Sequence, residues 1–150
     1  MKLELRWLNC FWLLLPLLIW NVALAPKITV EEVISDAHSP AWLLMAENIT
    51  RILVFALPLL MPLQVKDDLS KTGLIVYLAG TLIYFASWIP LILAPGSDWS
   101  QGAVGLLAPR ITPFLVFFGI ALIGHSLSYA LISVLFSVLH IWHGIQNLTI

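Results

Sequence analysis

The sequence predicts an all-α integral membrane protein, a bundle of four transmembrane helices whose last helix is long or broken. Three observations carry this. Of 150 residues, 61% are hydrophobic and 10% charged, whereas an average soluble domain is about 45–50% apolar and about 25% charged. The apolar residues are gathered into long uncharged runs, the pattern of helices that face lipid. Short polar segments separate these runs and hold most of the charges. The whole chain, 1–150, reads as one transmembrane domain with approximate spans 7–25, 41–63, 73–93 and 111–142.

The first span, 7–25, has no charge and carries Trp7, Trp12 and Trp20. At ~1.5 Å per residue it can cross a hydrocarbon core of ~30 Å. Lys2 and Arg6 precede it, and Ala23-Leu24-Ala25 resembles a small-x-small cleavage site. Pro26 follows, a residue poorly tolerated after a cut, so the segment reads as a retained signal anchor. The polar stretch from Lys27 to Pro40, with Glu31, Glu32, Asp36 and His38, is an aqueous loop. Ser39-Pro40 then suits a helix start, because a hydroxyl accepts orphan N–H groups and proline has no donor to lose there.

The second span, 41–63, carries Glu47, Asn48, Thr50 and Arg51 before becoming apolar, and it contains Pro58 and Pro62. Glu47 and Arg51 are one turn apart with the acid first, the favourable order for an ion pair on a helix. If the helix begins at Pro40, they lie about 10 Å and 16 Å along it. Charges at such depth cost ~2.5–3.5 kcal/mol toward the bilayer centre, which marks them as functional candidates. Each proline frees the carbonyl one turn earlier, so the pair is expected to lie near unpaired backbone acceptors. The competing reading is structural: Arg51 snorkels toward the headgroups beside Glu47.

A loop with Lys66, Asp67, Asp68 and Lys71 leads to the third span, 73–93, which Ala94-Pro95-Gly96-Ser97-Asp98 ends with turn residues. A rotation of about 100° per residue puts Gly73, Tyr77, Gly80, Thr81, Tyr84, Ser87 and Trp88 on one side and Leu74, Leu78, Leu82, Phe85 and Ile89 on the other. In lipid the small and polar face should turn toward protein. It serves either helix packing or, in Tyr77, Thr81, Tyr84 and Trp88, the lining of a ligand site.

The last apolar stretch, from Arg110 to about Trp142, is too long for one perpendicular crossing. Either Gly124-His125-Ser126-Leu127-Ser128 breaks it, or it is one tilted helix. Thr112, Gly119, Ser126, Ser133 and His140 recur every seven residues, a packing seam that favours the single helix. His125 then lies deep in the membrane, while His140 and His143 are expected to anchor at the interface. Only this span brings histidine to membrane depth, so a bis-histidine haem within one chain is not expected. His140 and His143 are one turn apart, yet the tail offers no Asp or Glu as a third metal ligand.

Lys2, Arg6, Lys66 and Lys71 fall on one side and Lys27 and Arg110 on the other, which predicts both termini cytoplasmic. A break near Gly124 would carry the C-terminus across. The net charge of -1 and the lack of a dense Lys/Arg block argue against nucleic-acid binding. The single cysteine, Cys10, excludes an internal disulfide or a cysteine metal cage. P-loop, GxSxG, HExxH and dinucleotide fingerprints are absent. Asn48-Ile49-Thr50 and Asn147-Leu148-Thr149 match the glycosylation sequon but fall in the bilayer and on the cytoplasmic side.

The function these residues suggest is binding or transport of a small or lipophilic ligand at a polar intramembrane site formed by Glu47, Arg51, Tyr77, Thr81, Tyr84, Trp88 and His125. The alternatives are a structural or assembly subunit of a larger membrane complex and an intramembrane enzyme acting on lipid. No metal or other cofactor is expected. The expected partners are membrane lipid, a lipophilic or small anionic ligand, and further copies of the chain or other subunits.

Overall fold

The computed structural model describes residues 7–24 and 39–148, with side chains as far as 146. A 3-10 turn, Cys10–Leu14, runs into helix α1, Leu15–Leu24. Helix α2, Ala41–Ala56, tightens into a 3-10 turn over Leu57–Leu60, where Pro58 has no N–H to continue the α ladder. Helix α3, Asp68–Leu93, starts on a capping box in which Asp67 accepts the Ser70 amide at 2.8 Å. A single turn, α4 (Asp98–Gln101), leads into α5 (Ala103–Ile111) and α6 (Pro113–Ile123). The chain closes with α7, Leu127–Leu148.

Among the described residues, four helical stretches are long and apolar enough to cross a membrane: Ala41–Leu60, Asp68–Leu93, Ala103–Ile123 and Leu127–Gln146. The fold class is therefore as the sequence predicts, but the four spans are distributed differently. Among the described residues the first expected span is helical over Cys10–Leu24, about 22–25 Å against a ~30 Å core. The last expected span, 111–142, is two helices instead of one.

The cause of that break is a helix-ending motif. The Ser126 amide donates to the Ala121 carbonyl at 3.0 Å and the His125 amide to that of Leu122 at 3.3 Å. These are the paired bonds of a Schellman motif. The left-handed residue it needs is His125, at φ 49°. Gly124, just before it, serves a different purpose: a Cβ there would meet Met61 Cε at 2.3 Å. Ser126 then caps α7 by accepting the Tyr129 amide at 3.2 Å. The seven-residue seam crosses this turn without being one helix face. Gly119 faces α3, while Ser133 is buried along α7.

Helices α3 and α6 pack with their backbones nearly touching. A Cβ on Gly119 would lie 2.6 Å from the Tyr77 backbone nitrogen, and one on Gly80 would lie 2.7 Å from Leu115 Cβ. The expected inward face of α3 is buried at Gly73, Tyr77, Gly80, Tyr84 and Ser87. Leu78, Leu82 and Ile89 are exposed, as lipid-facing residues would be.

One end of the bundle gathers Asn9, Met61, Pro62, Asp67 and the Gly124–Ser126 turn. There the Cys10 amide donates to the Met61 carbonyl at 2.9 Å, and the Leu63 amide to that of Leu8 at 3.2 Å. The other end carries Trp42 against Trp142, ring centroids 5.5 Å apart. The first described residues and the end of α7 thus lie at opposite ends of the bundle.

Candidate functional site

Glu47 is the pivot. It sits at 1% exposure where α2 faces α7. His140 Nδ1 stands 2.8 Å from its Oε1 and His143 Nδ1 2.7 Å from its Oε2. Arg51, one turn on, donates to the same Oε1 and, through Nη1, to Asn48 Oδ1 at 3.2 Å. An ionised carboxylate only accepts, so both imidazoles present Nδ1–H to it. Charge-assisted bonds of this kind are the strong ones, and here they join two helices 93 and 96 residues apart in sequence.

Local sequence explains how each group arrives. His140 and His143 lie at i and i+3, on one face of α7. The His140 ring stacks on Phe136, centroids 5.3 Å apart and planes 13° apart. On α2, the Thr50 hydroxyl is satisfied by the Ala46 carbonyl at 2.9 Å, which leaves the carboxylate to the imidazoles and the guanidinium. Arg110 of α5 lies across Gly144, where a Cβ would meet its Cδ at 2.6 Å, so a further cation borders this end of α7. Exposure is graded: the Glu47 side chain is 2% exposed, His143 10%, His140 25% and Arg51 44%. Arg51 is the member that faces outward. Among the described residues, no group of three or more His, Cys, Asp or Glu is arranged to hold a metal ion.

The other expected site residues lie elsewhere. The Tyr77 hydroxyl donates to the Leu13 carbonyl at 2.9 Å, and the Tyr84 hydroxyl to Asn21 Oδ1. The Thr81 hydroxyl is satisfied by the Tyr77 carbonyl at 2.8 Å, and Trp88 stands edge-on to Tyr84 with centroids 6.4 Å apart. This stripe fastens α3 to the N-terminal segment and does not reach Glu47. His125, expected deep in the bilayer, is in the α6–α7 turn with its side chain 48% exposed, 2.9 Å from Asp67 Oδ2. The Ser70 backbone amide, followed by His125, holds the Asp67 carboxyl below its ordinary value.

Two further expectations are corrected. The Pro58 carbonyl, freed by Pro62, is not left unpaired near Glu47, since it accepts the Met61 amide at 3.2 Å beside Cys10. His140 and His143 are not merely interfacial anchors. The acid that the tail lacks comes from α2, a pairing that local spacing could not show. The available clue was that Glu47 is the one carboxylate inside a span and the two imidazoles form one face.

Compared with known protein families, curated proteins and solved structures, the chain matches none, so the functional reading rests on this geometry.

Proposed function

We propose that this multi-pass membrane protein binds, and carries through the bundle, a small or lipophilic ligand bearing an acidic group. The observation that carries the reading is the convergence of Arg51, His140 and His143 on a buried carboxylate. Such a donor set suits any carboxylate or phosphate-type acid, and Glu47 occupies it as a built-in ligand. Protonation of Glu47 removes the charge that holds the donors. An incoming acid anion then takes the Arg51 and imidazole donors in its place. Proton and anion enter together, so no net charge has to be buried in lipid, the step that costs most there.

Position supports access from the membrane surface. Trp42 and Trp142 form an aromatic pair of the kind found at headgroup level. Glu47 is about 7.5 Å further along α2 than Trp42. Arg51, one turn deeper than Glu47, is the most exposed member of the cluster.

The test is acid binding to the purified protein in detergent, by calorimetry with short-chain and long-chain carboxylic acids and inorganic phosphate. Glu47→Gln, which empties the donor set while keeping the shape, is expected to bind acids more tightly than wild type. Arg51→Gln is expected to weaken binding. If Glu47→Gln binds no acid, the cluster is a staple between α2 and α7, and the reading as an assembly subunit takes its place.

A further inference from the structure

The buried face of α7 carries a row of hydroxyls about one turn apart, Tyr129, Ser133 and Ser137, preceded by the capping Ser126 and followed by His140. Tyr129 and Ser133 are 0% exposed and Ser137 is 6% exposed, while Leu127, Leu131, Leu135 and Val138 face outward. A hydroxyl inside a membrane helix ordinarily bonds a carbonyl of the preceding turn. Thr50, Thr81, Ser87 and Thr112 all do so here. The Tyr129 and Ser133 hydroxyls do not; they are turned toward each other inside the bundle instead. Fully buried polar groups of this kind are where proteins hold internal water. From Ser133 to Ser137 and on to His140 the helix rises about 6 Å and 4.5 Å, gaps that one water molecule bridges when each hydrogen bond is ~2.7–2.8 Å.

The row is bounded at both ends by an acid and an imidazole. At one end is the Asp67–His125 pair, both about half exposed. At the other is Glu47 with His140 and His143. We propose that this face of α7 is a water-bridged proton path joining the two. Each hydroxyl and each water takes one proton and passes one on, so only O–H and N–H bonds form and break. At the inner terminus His140 receives the proton on Nε2 and delivers its Nδ1 proton to Glu47, which leaves a neutral imidazole. The charged groups facing this terminus are Arg51 from α2 and Arg110 from α5. Helix α6 contributes no titratable residue. Lys66 and Lys71 flank the entry. The path shares Glu47 with the proposed acid site and would deliver the proton that vacates it.

The experiment is proton flux in sealed phospholipid vesicles holding the purified full chain, with a potassium gradient, valinomycin and an internal pH dye. Wild-type vesicles are expected to acidify faster than protein-free ones. Ser133→Ala and Tyr129→Phe, which delete one hydroxyl each with little change of shape, are expected to return the rate toward the protein-free level. Ser87→Ala, on a hydroxyl satisfied within α3, should leave it unchanged. Flux no greater than in protein-free vesicles, or equal flux in wild type and both α7 variants, overturns the path. Acid binding at Glu47 does not use Tyr129 or Ser133. A protein that binds acids without this flux therefore sinks the path alone, and one that conducts without binding acids sinks the acid site alone.

Discussion

At the scale of single residues, the structure redistributes the importance the sequence assigns. Arg51 reads from sequence as the essential partner of Glu47, being its neighbour on the helix. In the fold its side chain is 44% exposed, whereas that of His143 is 10% exposed and bonds the second carboxylate oxygen. Arg51 adds a second donor to Oε1, which His140 already serves, whereas His143 is the group on Oε2, and a hydrogen bond to a charged group is worth about 1.5–3 kcal/mol. His143→Leu is therefore expected to destabilise more than Arg51→Gln, by about 1–2 kcal/mol in reversible unfolding from mixed micelles. A larger loss for Arg51→Gln would mean that the guanidinium, and not the inter-helix link, secures Glu47. His125 shows the same redistribution. It is the left-handed residue of a turn, held by Asp67 across from it. Histidine tolerates that backbone better than most non-glycine residues.

At the scale of elements, contact between α3 and α6 depends on missing side chains. Gly73, Gly80 and Gly119 each place backbone against backbone, and a Cβ at any of them would come within 3.0 Å of a neighbouring atom. In lipid, where apolar surface gains little by leaving its solvent, such close packing is what holds helices together. Gly119→Ala is expected to cost about 1–3 kcal/mol, the usual penalty of overpacking. Leu131→Ala, on the outward face of α7, should change the melting temperature in detergent far less. Equal effects would show that the two helices have room to separate. The small-residue seam is thus correctly placed at Gly119, while at Ser126 the small residue serves as a helix cap.

At the scale of the whole molecule, the turn at Gly124–Ser126 decides the topology. It adds a crossing, so Asp68 and the end of α7 fall at opposite ends of the bundle. Single cysteines at Asp68, Asp98 and Asn147 in a Cys10→Ser background test this with a membrane-impermeant thiol reagent. Asp98 and Asn147 are expected to label from one side and Asp68 from the other. The Lys66 and Lys71 end is expected to be cytoplasmic. Labelling of Asn147 from the Asp68 side would mean that the last two helices do not form a hairpin across the bilayer.

The sequence by itself determined the class of fold, because composition and uncharged run length depend only on the solvent a helix must face. It also determined the inward face of α3, since periodicity is a local property, and the Glu47–Arg51 pair, since i and i+4 are neighbours on any helix. Tertiary structure decided the rest. Whether Gly124-His125-Ser126 interrupts a helix depended on paired backbone bonds and on Asp67, which waits across the turn to hold His125. That His140 and His143 meet Glu47 depended on α2 and α7 lying side by side, a contact between residues more than 90 apart in sequence. Spacing rules extend only a turn or two along one helix, whereas this site is made between helices, where the partner is chosen by packing.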